Sequence, residues 1–220
     1  MTISGIRTFH ASRNYLMSHQ NTELEVKFYI SDLGQLEVRV KALEAKLVQP
    51  RTLEYNVRFD NLKGELAQSY QVLRLRRDTA NRLTYKGPGV LLDGVRLRKE
   101  IEFEVSDFDN AKAFLEALGY RVSMIYEKYR AVYELDGVLV TLDEMPYGNF
   151  AEIEGPDAAS IQAANSRLGL DWQARVLDSY ATLFQIICRK LGLTFRDLTF
   201  KNFAATYVTP TNLGVRPADR

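Results

Sequence analysis

Glu23, Glu25 and Lys27 alternate with Leu24, Val26 and Phe28 in the run Glu23–Ile30. Side chains two apart on a strand share a face, so one side of this segment carries acid and base and the other is apolar. The pattern returns along the chain. Arg74 and Arg76 alternate with Leu73 and Leu75, and Arg82, Thr84 and Lys86 with Leu83 and Tyr85. Arg98, Glu100, Glu102 and Glu104 stand opposite Leu97, Ile101, Phe103 and Val105. Lys128 with Arg130, Thr141 with Asp143, and Glu152 with Glu154 follow the same parity. Guanidinium and ammonium groups grip phosphate oxygens, and Arg does so bidentately. Carboxylates hold hard cations such as magnesium or manganese, which also bridge phosphates.

Two arrangements give this alternation. An antiparallel sheet often wets one face, and the charged residues would then be a solvated surface. The alternative is an enclosed charged face. Three features weigh toward it. The polar faces are rich in Glu and Arg and poor in the β-branched polar residues that suit a wet strand. Like charges repeat on one strand, as in Glu23 with Glu25, Arg74 with Arg76 and Glu152 with Glu154, and need counter-ions. Amphipathic helices are available to cover the apolar faces. A dry interior of this kind would be costly, so a wet channel for a polyanion with metal ions is the reading that fits.

Several chemistries are excluded. The histidines are His10 and His19, both before the first strand, so a Ser-His-Asp or Cys-His centre and a His/Cys zinc site in the core are unavailable. No GxxxxGK[ST] loop is present, so phosphate binding must come from side chains. The 220 residues carry a net charge of +1, which does not favour bulk attraction to nucleic acid or anionic membrane. No apolar run is long enough for a transmembrane helix, and the N-terminus lacks a signal-peptide core. The single cysteine, Cys188, forms no internal disulfide, and a cytoplasmic location is expected.

The elements that must position these residues follow from period and breakers. Strands are predicted at about 22–30, 51–59, 70–78, 82–86, 94–105, 121–134, 138–143 and 149–154. The second strand carries Glu54, Asn56, Arg58 and Asp60 on its polar face. Ser31 is expected to cap a helix whose stripe runs from Leu33 to Leu47. Ser106 or Asp107 caps another, which Gly119 stops. Gly87-Pro88-Gly89 is expected to end the fourth strand, and Asp136-Gly137 to make a hairpin turn. The remainder is predicted helical, with Leu177, Tyr180, Phe184, Ile187, Cys188 and Leu191 on one stripe. The fold class is α+β, predominantly antiparallel β: eight strands closed into a tunnel, with helices packed outside. Residues 1–20 form an N-terminal extension, 21–198 the tunnel domain with its C-terminal helices, and 199–220 a tail. Phe195, Phe200 and Phe203 would dock that tail on the barrel or on a second subunit of a homodimer.

The ordered set of motifs resembles the CYTH superfamily, the triphosphate tunnel metalloenzymes. The resemblance begins with Glu23-x-Glu25-x-Lys27. It continues through Arg58-Phe59-Asp60, Leu73-Arg74-Leu75-Arg76, Tyr85-Lys86-Gly87 and Arg98-x-Glu100-x-Glu102-x-Glu104. Lys128-x-Arg130, Leu142-Asp143-Glu144, Glu152-Ile153-Glu154 and Ser179-Tyr180 complete it. It implies that Lys27, Arg74, Arg76, Lys86, Lys128 and Arg130 bind a small-molecule triphosphate. It implies that Glu23, Glu25, Asp143, Glu152 and Glu154 serve one or two divalent metals, magnesium or manganese. Lys27, Lys86, Lys128 and Glu102 are the implied catalytic groups, with Glu100 and Glu104 also lining the tunnel and Arg98 sharing their parity.

The leading expectation is a metal-dependent hydrolase of inorganic, nucleoside or thiamine triphosphate. The close alternative is a class IV adenylyl cyclase, which would release pyrophosphate from ATP. Described cyclases of that class resemble one another in a His-Phe pair where this chain has Met17 and Ser18. A non-catalytic polyphosphate-binding module is the third reading.

Overall fold

The computed structural model describes residues 21–220. The extension at 1–20, its two histidines, and Met17 and Ser18 lie outside the described residues. Eight strands follow in order: β1 (Thr22–Ile30), β2 (Lys46–Asp60), β3 (Val72–Arg77), β4 (Asn81–Leu92), β5 (Val95–Glu104), β6 (Arg121–Leu135), β7 (Val138–Met145) and β8 (Gly148–Glu154). They close into a barrel in the order β1-β5-β4-β3-β2-β6-β7-β8, every pair antiparallel. The expected fold class is therefore the one observed.

The helices are α1 (Leu33–Ala42), α2 (Glu65–Gln68), α3 (Phe108–Ala117), α4 (Ala158–Leu168), α5 (Tyr180–Leu191), α6 (Phe200–Phe203) and α7 (Pro210–Leu213). They cover the apolar outer faces of the strands. Leu36 and Val40 of α1 and Ile161, Ala164 and Leu168 of α4 pack with Phe28, Val140 and Ile153. Leu183, Phe184 and Ile187 of α5 pack with Phe150, Tyr147 and Phe203. Phe108 and Leu115 of α3 meet Val57 and Leu75. Each fully buried Leu, Ile or Phe contributes about 1.5–3 kcal/mol. The hydrophobic core thus lies outside the barrel, between sheet and helices, and the lumen is left to charge.

Some boundaries differ from the sequence expectation, for local reasons. Asp32, not Ser31, caps α1, accepting from the Gln35 amide at 2.9 Å. Ser31 instead donates its amide to the carboxylate of Asp219. Leu47 belongs to β2, which starts at Lys46 and carries Pro50 where its register with β6 shifts. β4 does not stop at Gly87 but runs on to Leu92. Pro88 sits inside the register shift between Lys86 and Gly89, where its missing N–H breaks no ladder bond. Asp136 and Gly137 do form the hairpin turn, with φ 51 and 81, both left-handed. The C-terminal region is less helical than expected. On either side of its two short helices, extended chain is stitched to the barrel: Leu198 bridges Tyr126 in parallel, and Pro217 bridges Tyr29.

Candidate active site

Parity decides what fills the lumen. Glu23, Glu25, Lys27, Arg74, Arg76, Lys86, Lys128 and Glu152 are buried and Arg130 is half-buried, although none lies in the hydrophobic core. They line one cavity of about 590 Å³ together with Arg98, Glu100, Glu102 and Glu154. One mouth of this cavity is formed by Tyr70, Gln71 and Val72 ahead of and within β3, and by Leu177–Thr182 at the start of α5. Asp60 sets the first of these. Its carboxylate accepts from the Leu66 and Ala67 amides at 3.0 Å each and so pins α2 to the end of β2.

Acid and base meet in three clusters. In the first, the Lys86 ammonium lies 2.7 and 2.8 Å from the two Glu23 oxygens and 2.9 Å from Glu100. Arg98 adds bonds to Glu23 at 2.7 Å and Glu25 at 3.3 Å. In the second, Arg130 forks onto Asp143 and reaches Glu152, Lys128 lies 3.1 Å from Asp143, and Lys27 lies 3.2 Å from Glu152. In the third, Glu102 takes Arg74 at 3.2 Å, Arg76 at 3.0 Å and the Thr84 hydroxyl at 2.8 Å.

These contacts set the charge states. Burial works against an ionised Glu23, yet Lys86 and Arg98 hold its carboxyl well below the usual range. The same opposition, with Lys27 and Arg130 as the partners, keeps Glu152 ionised. Glu154 behaves differently. Burial first, and then the nearby Glu23, push its carboxyl up to about 8, although Lys86 opposes. Glu100 is also raised, by burial and by Glu23. The flank holding Glu23, Glu25, Glu100 and Glu154 is therefore short of positive charge, whereas the Asp143–Glu152 flank is well supplied.

The sequence profile of the CYTH domain family matches residues 21–167. This chain belongs to the CYTH domain family. It is 27% identical over 174 residues to adenylate cyclase CyaB of Aeromonas hydrophila, which covers 73% of this chain and 87% of that protein. Among solved structures, one of an adenylate cyclase candidate from Vibrio parahaemolyticus superposes with a TM-score of 0.68 at 21% identity, covering 76% of this chain and 99% of that one. HpAC1 from Hippeastrum, provisionally named an adenylyl cyclase and described as revealing a dominant triphosphatase activity, superposes with a TM-score of 0.58 at 20% identity, covering 74% and 95%.

Within this CYTH barrel, the residues expected at the site are placed unequally. Asp143 is fully buried behind the cavity wall, where Lys128, Arg130 and the Tyr180 hydroxyl, donating at 2.8 Å, surround its carboxylate. Glu104 shares the inward parity but is exposed at the far end of β5, against Arg82. Three groups were missed as site members. Glu54 is buried between Arg76 and Lys128, each 3.6 Å away. Tyr126 accepts a hydrogen bond from Arg74 at 3.2 Å. Tyr180, at the start of α5, lays its ring 4.2 Å from the Lys27 ammonium. The parity of β2 and β6 carried the signal for Glu54 and Tyr126. Tyr180 reaches the lumen from a helix on the far side of the chain, and strand parity is silent about it.

The donor chemistry fits a divalent cation. Glu25 and Glu154 are cross-strand neighbours in the β1–β8 ladder. Their hard oxygens, with those of Glu23, suit magnesium or manganese, and a cation would offset the crowding that raises Glu154. Among the described residues, no three such side chains converge on a single point. The lumen also fits a polyanion, because the buried Arg74 Nε has no hydrogen-bond partner among the described residues.

Proposed function

We propose that this CYTH protein hydrolyses a triphosphate-containing small molecule with the help of magnesium or manganese. The observation that carries this reading is the set of buried and half-buried cations around one closed lumen, facing a carboxylate flank deficient in positive charge. In it, Lys27, Arg74, Arg76, Lys86, Lys128 and Arg130 take the phosphate oxygens. Their carboxylate partners hold them in place beforehand, so little reorganisation is needed as charge develops on the phosphoryl group. Glu102 orients Arg74 and Arg76 and is assigned the proton of the attacking water. Asp143 and Glu152 orient Lys128, Arg130 and Lys27. Glu23, Glu25 and Glu154 would hold the metal, with Asp143 and Glu152 behind them. When bound, the metal supplies charge neutralisation on the phosphate oxygens and lowers the pKa of water.

A second reading has its own support. CyaB of Aeromonas hydrophila is named an adenylate cyclase. The same lumen would then hold ATP for attack by its 3′-hydroxyl on the α-phosphorus, with pyrophosphate leaving. Product analysis separates the two. The purified protein is incubated with ATP, inorganic triphosphate and thiamine triphosphate, each with magnesium and with manganese. Orthophosphate is the expected product. Cyclic AMP with pyrophosphate would establish the cyclase instead, and triphosphate binding without turnover would leave a binding module. Glu154→Ala is expected to abolish metal-dependent turnover while the protein stays folded, and wild-type turnover in that variant would remove Glu154 from the metal site.

A further inference from the structure

Among the described residues, the lumen cations are ion-paired except Arg96 and Arg58, and Arg96 donates instead to the Leu177 carbonyl. Lys27, Arg74, Arg76, Lys86, Arg98, Lys128 and Arg130 each have a carboxylate partner. Arg58, on β2, lines the same cavity. Its guanidinium has neither an ion pair nor a hydrogen bond among the described residues. Asp60, two positions along on the same face, is occupied by the α2 amides. Directly across the β2–β3 ladder stands Arg74, another cation. Like charges opposed on neighbouring strands destabilise a sheet, and a cation taken out of water without a counter-charge costs stability. Burial and the neighbouring Arg74 indeed disfavour the charged form of Arg58. A guanidinium kept half-buried under those conditions, and still open to the cavity, is suited to an anion that arrives from outside.

We propose that Arg58 is a further anion-binding residue of the lumen, forking onto the phosphoryl group that lies nearest the mouth between the α2–β3 turn and the start of α5. This rests on the reading that the lumen binds a polyphosphate. Arg58 differs in kind from the ion-paired cations of the lumen. Those must release or share a carboxylate when phosphate binds, whereas Arg58 gains its first partner. Binding at this position therefore relieves an existing electrostatic cost.

The test measures the affinity of inorganic triphosphate, with magnesium present, by calorimetry, and the thermal midpoint of the ligand-free protein. Arg58→Gln is expected to weaken triphosphate binding about 10- to 100-fold, the range for losing charge-assisted hydrogen bonds. Its ligand-free midpoint should stay the same or rise. Arg58→Lys should recover part of the affinity, because an ammonium keeps the charge but cannot fork. Should Arg58→Gln fail to fold, Arg58→Lys alone decides, and undiminished affinity in it overturns the proposal. Arg74→Ala separates the two levels of the argument. If Arg74→Ala loses affinity and Arg58→Gln does not, the role of Arg58 is overturned and the lumen reading stands. If neither loses affinity, both are overturned.

Discussion

Lys128 shows how tightly single residues are bound into this interior. Its ammonium lies 3.1 Å from Asp143 and 3.6 Å from Glu54, and all three side chains are almost fully buried. Removing one partner of a buried pair costs about 3–5 kcal/mol, mostly because the other charge is left uncompensated. Arg130 still covers Asp143, and Arg76 still reaches Glu54. Lys128→Met is therefore expected at the lower end, about 3 kcal/mol by chemical denaturation. A loss under about 1 kcal/mol would mean that the remaining arginines carry the whole burden. Tyr180→Phe probes the same cluster more gently. It removes one donor to Asp143 and keeps the ring beside Lys27. A loss of about 1–3 kcal/mol is expected, as for a hydrogen bond to a buried charge. Unchanged stability would show that the hydroxyl is idle.

At the scale of elements, α5 connects the core to the lumen. Ser179 caps it, accepting from the Thr182 amide at 3.1 Å, and the Tyr147 hydroxyl donates to the Tyr180 carbonyl at 2.9 Å. The buried stripe of Leu183, Phe184 and Ile187 fixes the helix against the β7–β8 hairpin, and that in turn places Tyr180 over Lys27. Ile187 is fully buried and lies outside the lumen. Ile187→Ala is expected to cost about 2–5 kcal/mol. It should also weaken triphosphate binding, through displacement of Tyr180. Stability loss with undiminished affinity in the remaining folded protein would show that the helix start is held by its cap and Tyr147 alone.

At the scale of the molecule, the C-terminal segment returns to the beginning of the described fold. The carboxylate of Asp219 accepts from the Ser31 amide at 2.9 and 3.0 Å and from the Asp32 amide at 2.9 Å. Burial opposes the charge, but these amide bonds win and hold the carboxyl below its usual value. A folded-state value below the unfolded one, about 3.9, adds stability that is complete above that pH and fades as pH falls toward the folded value. Asp219→Asn should thus destabilise the protein by about 1 kcal/mol at pH 7, a modest figure because the group is partly exposed. The difference from wild type should shrink as the pH drops below about 4. Denaturation curves at several pH values check this, and a difference independent of pH would show that charge is not involved.

The strands and the inward set were legible because both follow from a period of two. Glu23, Arg74, Glu102 and Lys128 could be assigned to one face before any strand was paired with another. The Asp136-Gly137 turn was legible for the same reason, and the cap of α3 was narrowed to Ser106 or Asp107, of which Asp107 is the one observed, since their chemistry acts within a few residues. Closure of the barrel decided the rest. Whether a charged face meets water or other charged faces depends on which strands pair, and strand pairing brings Lys86 onto Glu23 and sets Arg58 opposite Arg74. The continuation of β4 through Pro88 needed the β5 register to accommodate it. Placement of Tyr180 needed the packing of α5, and Asp32 took the cap role expected of Ser31, whose amide is held by a carboxylate 188 residues away. Local propensity and parity act along the chain, and so sequence determined which residues face inward. Electrostatic partnership acts through space, and only the tertiary structure decided which of those charges are satisfied and which remain to meet a ligand.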